Sequence, residues 1–341
     1  MNFLGSPLSI GKLQLANRLI QGPLAGFSCA PFRELFYQYT PPAYCVTEMV
    51  SAHDVLHKHK ANSRYLFRSA KEKTLCYQIS GSDPVIMAQA SACLEQLGAD
   101  LIDINCGCPK SKIRKKGAGS ALLDKPQQLA AIISKVRATI TIPLTVKIRI
   151  QRNATDIQLA RAIEEAGADA IIVHGRHWAD NYDNPSDFNQ IAKIKSAVSI
   201  PVIANGDIFD RDSLLHALKT SLCDGYMVSR AGTGKPWLFE HLLEEKRLVI
   251  EDVRLKALFM QHLQQLAGLE NEHKALLQSK SLFRYYFKPW FTKEQLHAFY
   301  ALENLAQIAS YLQNFHFSEP LSGGKNPSQY SAPHPQPVSG L

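Results

Sequence analysis

Side chains able to do chemistry crowd most closely in DINCGCPKSK, residues 103–112, which sets a carboxylate, an amide and two thiols around one glycine and then turns basic. A cysteine there could be a metal ligand, half of a redox pair, a nucleophile, an acid or a small buried residue. C-x-C supplies only two metal ligands, and no other Cys/His pair is spaced to complete a site, so no metal is expected. A disulfide between Cys106 and Cys108 would strain the backbone around a single residue. Lys147, in VKIR, is the second chemically suggestive group. It could be a satisfied interior charge, a Schiff-base former or a cation beside an anionic cofactor. With Gln78 and Asn205 it suits a planar heterocycle with several hydrogen-bonding edges, such as a reduced flavin. No G-x-G-x-x-G follows a strand, which argues against a resident nicotinamide nucleotide.

These groups need a frame. Short β-rich runs occur at 19–24, 43–48, 74–80, 101–105, 144–149, 170–175, 201–205 and 225–230, separated by helix-length segments. LGAD at 97–100 and AGAD at 166–169 each close a helix with glycine and lead into a strand. Eight βα units with near-continuous apolar strands predict a (β/α)8 barrel; an open doubly wound sheet is the alternative. The barrel is preferred because polar or glycine-containing groups recur just after successive strands: Gly22 to Gly26, Gln78, Asn105 to Cys108, Lys147 with Arg149, His174 with Arg176, Asn205 to Asp207, and Ser229 with Arg230. In a barrel all of them converge on the C-terminal mouth. The last two loops, ANGDIFD (204–210) and SRAGTGKPW (229–237), stand where such barrels commonly hold a phosphate. Glycines 206, 232 and 234 would let backbone N–H groups approach an anion, and Arg230 would add charge.

Residues 1–240 are therefore expected to form the barrel, and 241–316 a small all-helical domain with amphipathic stretches at 255–269 and 298–312. FRYYFKPWF (283–291) reads as core packing with exposed cationic tips. Residues 317–341, rich in Pro, Ser and Gly, read as a disordered tail. The net charge of +8 permits a polyanionic partner. No apolar run is long enough to span a membrane, the first residues do not read as a signal peptide, and seven scattered cysteines do not read as a disulfide framework. A monomer with reduced thiols in the cytoplasm is expected.

In combination, GPLAGF (22–27), VTEM (46–49), QISG (78–81), DINCGCPKSK, GAGSALL (117–123), VKIR, VHGR (173–176), ANGD and SRAGTGKPW resemble the tRNA-dihydrouridine synthases, in order over most of residues 18–240. The resemblance implies an FMN-containing barrel that reduces uridines in tRNA to 5,6-dihydrouridine, NADPH as reductant, and a helical domain that helps hold tRNA. It implies that Pro23, Leu24 and Ala25 line the flavin, and that Gln78 and Lys147 contact its ring. Asn205, Gly206, Asp207, Ser229 and Arg230 would hold its ribityl phosphate, with His174 nearby. Asn105, Arg149 and Arg176 would lie on the uridine side. RHWADNYD (176–183) departs from the family's usual continuation.

Uracil reduction needs a hydride at C6 and a proton at C5, and a weak acid must supply the second. A thiol with an ordinary pKa of about 8.5 is mostly protonated at neutral pH. The family motif ends in GCP, which selects Cys108 as that acid and leaves Cys106 as packing. Lys112, Lys115 and Lys116, with Lys110 and Arg114, are expected to form a basic lid over RNA phosphates. An FMN-dependent dehydrogenase or ene-reductase for a small molecule such as a free pyrimidine is the alternative enzyme. An RNA-binding module without chemistry is the alternative outside catalysis.

Overall fold

The computed structural model describes residues 3–244, 250–288 and 290–315. An antiparallel hairpin comes first, β1 (Leu8–Ile10) against β2 (Leu13–Leu15). Its alternation of apolar and polar residues sends Leu8, Ile10 and Leu15 into one cluster with Ile20, Leu101, Ile172 and Ile203 of the barrel strands, so the hairpin plugs the barrel interior from one end. The strands that follow are β3 (Leu19–Gln21), β4 (Tyr44–Val46), β5 (Val50–Ser51), β6 (Leu75–Ser80), β7 (Leu101–Cys106), β8 (Leu144–Arg149), β9 (Ala170–His174), β10 (Val202–Asn205) and β11 (Gly225–Val228). All pair in parallel. Because β3 pairs with both β4 and β11, and β4 with β6, eight of them close into the barrel and the two-residue β5 is an extra pairing on β6.

The run at 43–48 thus yields a shorter strand than its composition suggests. The Thr47 hydroxyl accepts the N–H of Gln78 at 3.1 Å, so a side chain takes over a rung of the ladder there. Along β7 and β8 the alternation separates two environments. Ile102, Ile104, Cys106, Val146 and Ile148 join the cluster beneath the helices, while Asp103, Asn105, Thr145, Lys147 and Arg149 are buried on the opposite face.

Helices α1 (Ala30–Glu34), α2 (Ala52–His57), α3 (Pro84–Gln96), α4 (Ser111–Arg114), α5 (Pro126–Arg137), α6 (Thr155–Glu165), α7 (Phe188–Lys195) and α8 (Arg211–Ser221) lie between or beyond these strands. They are followed by α9 (Leu238–Glu244), α10 (Asp252–Leu269), α11 (Glu272–Phe287), α12 (Lys293–Tyr300) and α13 (Leu305–Asn314). Residues 298–312, read from sequence as one amphipathic stretch, are broken at 301–304, where the Asn304 side chain accepts the Gln307 N–H at 2.8 Å and starts a new helix. The helices α10 to α13 bury an aromatic cluster of Phe259, Phe283, Tyr286, Phe287 and Phe299, which also takes in Phe27 and Leu35 of the barrel's first loop. Arg284 and Lys288 stay exposed at its edge. The tail expected at 317–341 lies outside the described residues.

Candidate active site

The mouth is assembled from strand ends. Lys147, 9 % exposed, donates to Asn205 Oδ1 at 2.9 Å, and the Asn205 amide donates to the Met227 carbonyl at 2.8 Å and the Ser229 hydroxyl at 3.3 Å. Burial lowers the Lys147 pKa to about 8; Arg149 adds to that and Asp103 opposes it. His174 is held well below its ordinary value by burial and by four surrounding cations, Arg149, Lys147, Arg176 and Arg230, so its ring is neutral. Below these groups, Gln78 donates to Asp103 at 2.7 Å and accepts from the Asn105 amide at 2.8 Å.

The loop past β7 is fixed from both ends. The Asn105 oxygen accepts the N–H groups of Gly107 at 3.2 Å and Cys108 at 2.9 Å, and the Cys108 carbonyl accepts from the Ser120 N–H at 3.1 Å and hydroxyl at 3.0 Å. Cys108 is half-buried, whereas Cys106 is fully buried beneath the helices, which raises its thiol pKa well above the ordinary value. All seven cysteines are unpaired. Lys112, Lys115 and Lys116 are exposed.

Several residues do other work than the sequence suggests. Arg149 donates to the carbonyls of Gly107 at 2.9 Å and His177 at 3.1 Å, which ties the loop past β7 to the loop past β9. Arg176, 3 % exposed, is spent on its own loop: it bonds the carbonyls of Asn184 and Tyr182 and pairs with Asp207 at 2.6 Å. It also lies 3.5 Å from His174 Nε2, so one edge of the guanidinium still faces the mouth. Asp207 is committed likewise, its second oxygen accepting the Ser186 N–H at 2.8 Å. Arg114 leaves the basic run by stacking on Trp178 at 3.7 Å and pairing with Asp124 at 3.1 Å. So the unusual stretch after Arg176 packs against the basic run through Trp178.

The glycines of the last two loops divide. Gly206 has φ +116, and a Cβ there would lie 2.1 Å from the Ser186 hydroxyl and 2.9 Å from the His174 ring. The need for glycine at 232 and 234 comes instead from packing: a Cβ on Gly232 would strike the Gln21 side chain at 2.1 Å, and one on Gly234 (φ +73) the Tyr285 backbone of α11 at 2.8 Å. Of the 22–27 loop, Pro23 and Leu24 are half-buried and Ala25 is exposed. Two residues that the sequence reading passed over hold this loop. Glu48 accepts the Gly26 N–H at 2.6 Å and is itself gripped by Arg64, at 2.7 and 3.0 Å. Arg64, mostly buried, also pairs with Glu270. Only Glu48, inside VTEM, carried a signal: a carboxylate at the end of an apolar strand.

This donor set fits an anionic cofactor with a phosphate arm. Lys147 spends one of its three protons on the protein, the buried Ser186 hydroxyl beside Gly206 has no partner among the described residues, and four cations surround one neutral histidine.

Comparison with known proteins bears on the family of the chain. The family model described as Dihydrouridine synthase (Dus) matches residues 20–315. tRNA-dihydrouridine synthase B of Vibrio vulnificus (strain CMCP6) is 37% identical over 276 residues, covering 78% of this chain and 85% of that protein. The Klebsiella pneumoniae tRNA-dihydrouridine synthase B is 33% identical over 323 residues, 90% of this chain and 100% of that protein. Among solved structures, an old yellow enzyme homologue from Zymomonas mobilis superposes with a TM-score of 0.53 at 13% identity, covering 72% of this chain and 94% of that one, a likeness of fold. With a family match running from the first barrel strand to the last helix, and relatives aligned over most of both lengths, this chain belongs to the dihydrouridine synthase family of oxidoreductases.

Proposed function

We propose that this protein reduces uridines in tRNA to 5,6-dihydrouridine, with FMN as bound cofactor, NADPH as reductant and Cys108 as the proton donor. The observation that carries the reading is the placement of Cys108, half-buried on a loop anchored by Asn105, at a mouth lined by Lys147, Arg149 and a neutral His174. FMN, when bound, supplies the hydride that NADPH has delivered to it. Lys147 and Gln78 would hold the ring, and Asn205, Gly206, Ser229 and Arg230, with the Ser186 hydroxyl, the ribityl phosphate. Uracil enters over Asn105, and Cys108 gives its S–H proton to C5 as C6 gains hydride, so the double bond takes up two electrons and two hydrogens. The thiolate regains its proton from solvent through the half-open loop. Lys112, Lys115 and Lys116 meet RNA phosphates, and residues 241–316 hold the tRNA body against the barrel of residues 1–240.

The test is single-turnover reoxidation of pre-reduced enzyme by tRNA. Cys108→Ala should keep its flavin and be reduced by NADPH at the wild-type rate, yet reoxidise roughly 10²–10⁴-fold more slowly, the usual worth of a positioned general acid. Reoxidation at the wild-type rate would remove Cys108 from the mechanism.

A further inference from the structure

The strand LIDIN carries a carboxylate into the barrel interior at Asp103, which is fully buried and is raised to about 6 by that burial. Each of its oxygens nevertheless meets a donor, the arrangement of an ionised carboxylate, which can only accept. One oxygen accepts from the Thr145 hydroxyl at 2.7 Å, the other from Gln78 Nε2 at 2.7 Å. Gln78 must therefore turn its oxygen the other way, where it accepts from Asn105 Nδ2 at 2.8 Å. Asn105 must then aim its own oxygen at the loop, where it accepts the N–H groups of Gly107 and Cys108. Reversing either amide would set oxygen against oxygen, or N–H against N–H. Gln78 is 1 % exposed and Asn105 8 %, so water offers little relief from such a mismatch.

We propose that Asp103 is a positioning residue: it fixes the direction of the hydrogen-bond relay Asp103–Gln78–Asn105 and thereby holds the backbone of Cys108 in place. The inference rests on the reading of Cys108 as the acid only for its catalytic consequence. An asparagine at 103 could make the same contacts to Thr145 and Gln78 at a smaller cost of desolvation. What it lacks is an acceptor-only end: an amide both donates and accepts, so the relay would be oriented from the Gly107 and Cys108 N–H groups alone.

The test uses the full, flavin-loaded chain with residue-resolved hydrogen exchange. In Asp103→Asn the direction is held only from the Gly107 and Cys108 N–H groups, so these two amides should exchange faster, by up to about tenfold, the loss of a bond of about 1.4 kcal/mol. Reoxidation by tRNA should slow by a similar factor, with flavin content and the KM for tRNA unchanged. The double variant Asp103→Asn with Asn105→Asp puts the acceptor-only group at the other end. Gln78 then reverses, every partner is satisfied again, and protection at 107 and 108 should return. That restoration also judges the relay if Asp103→Asn alone folds poorly. Wild-type protection in Asp103→Asn, or none regained in the double variant, overturns the proposal. Protection lost in Asp103→Asn alongside normal reoxidation in Cys108→Ala keeps the relay and discards the acid assignment.

Discussion

From Asp103 to Cys108 the chain is buried or half-buried and tied to β6, β8 and residue 120, whereas Pro109, Lys110, Ser111, Lys112, Lys115 and Lys116 stand exposed or nearly so. In the inner half the carboxylate and the amide have partners within the protein. In the outer half Arg114 is the cation with a carboxylate partner among the described residues. Burial makes geometry expensive to change, so the inner half can set the position of a reacting group. Exposure makes charge cheap to hold but weak at any one point, so the outer half can add attraction to a polyanion without fixing geometry. One loop thus joins a rigid inner half to a charged outer one.

After the loss of the acid itself, the largest effect should come from cutting the inner half's strut. Arg149→Met leaves the Gly107 carbonyl without its donor and the His177 carbonyl with the Asp180 N–H alone, and dihydrouridine formation should fall roughly 10–100-fold, the worth of one or two buried bonds, while tRNA affinity changes little. A fall in affinity alone would assign Arg149 to binding and blur the contrast. A middle effect is expected from the outer half. Replacing Lys112, Lys115 and Lys116 by Gln should weaken tRNA binding and lower the salt slope by about 0.7–0.9 for each phosphate deprived of its lysine, with the rate at saturating tRNA nearly kept. An unchanged slope would make the run a solvated surface. The smallest effect belongs to Cys106→Ala, which trims one buried group beneath the helices. It should cost about 1 kcal/mol in denaturant unfolding and leave turnover intact. A large loss of turnover would mean that the chemistry had been assigned to the wrong thiol.

The barrel was legible because its strands are apolar runs with helices between them, and because chemistry gathers after each run. The hairpin at 8–15 was not: six strand residues do not rise above the noise of a periodicity window. Gln78, Asn105, Lys147 and Asn205 could be grouped from sequence because each sits at a strand end, where parallel register brings neighbours together. The fates of Arg149 and Arg176 were invisible. Whether a guanidinium faces the mouth or caps carbonyls depends on how the loop at 177–184 folds back, and no local pattern encodes that return. The packing demand on Gly232 and Gly234 was invisible for a related reason. A glycine demanded by a neighbouring strand or helix looks in sequence like one demanded by a phosphate.

The grip of Arg64 on both Glu48 and Glu270 also bears on when the enzyme becomes complete. Glu270 follows Arg64 by 206 residues. At roughly 5–20 residues per second a ribosome needs about 10–40 s to cover that distance. Until it does, the carboxylate that hangs the first loop of the mouth is held by an arginine missing one of its partners, and Gly234 faces empty space where Tyr285 belongs. A nascent barrel waits in this unfinished form, and a chain cut short before α11 never leaves it. Completion of the mouth therefore waits on synthesis of α10 and α11.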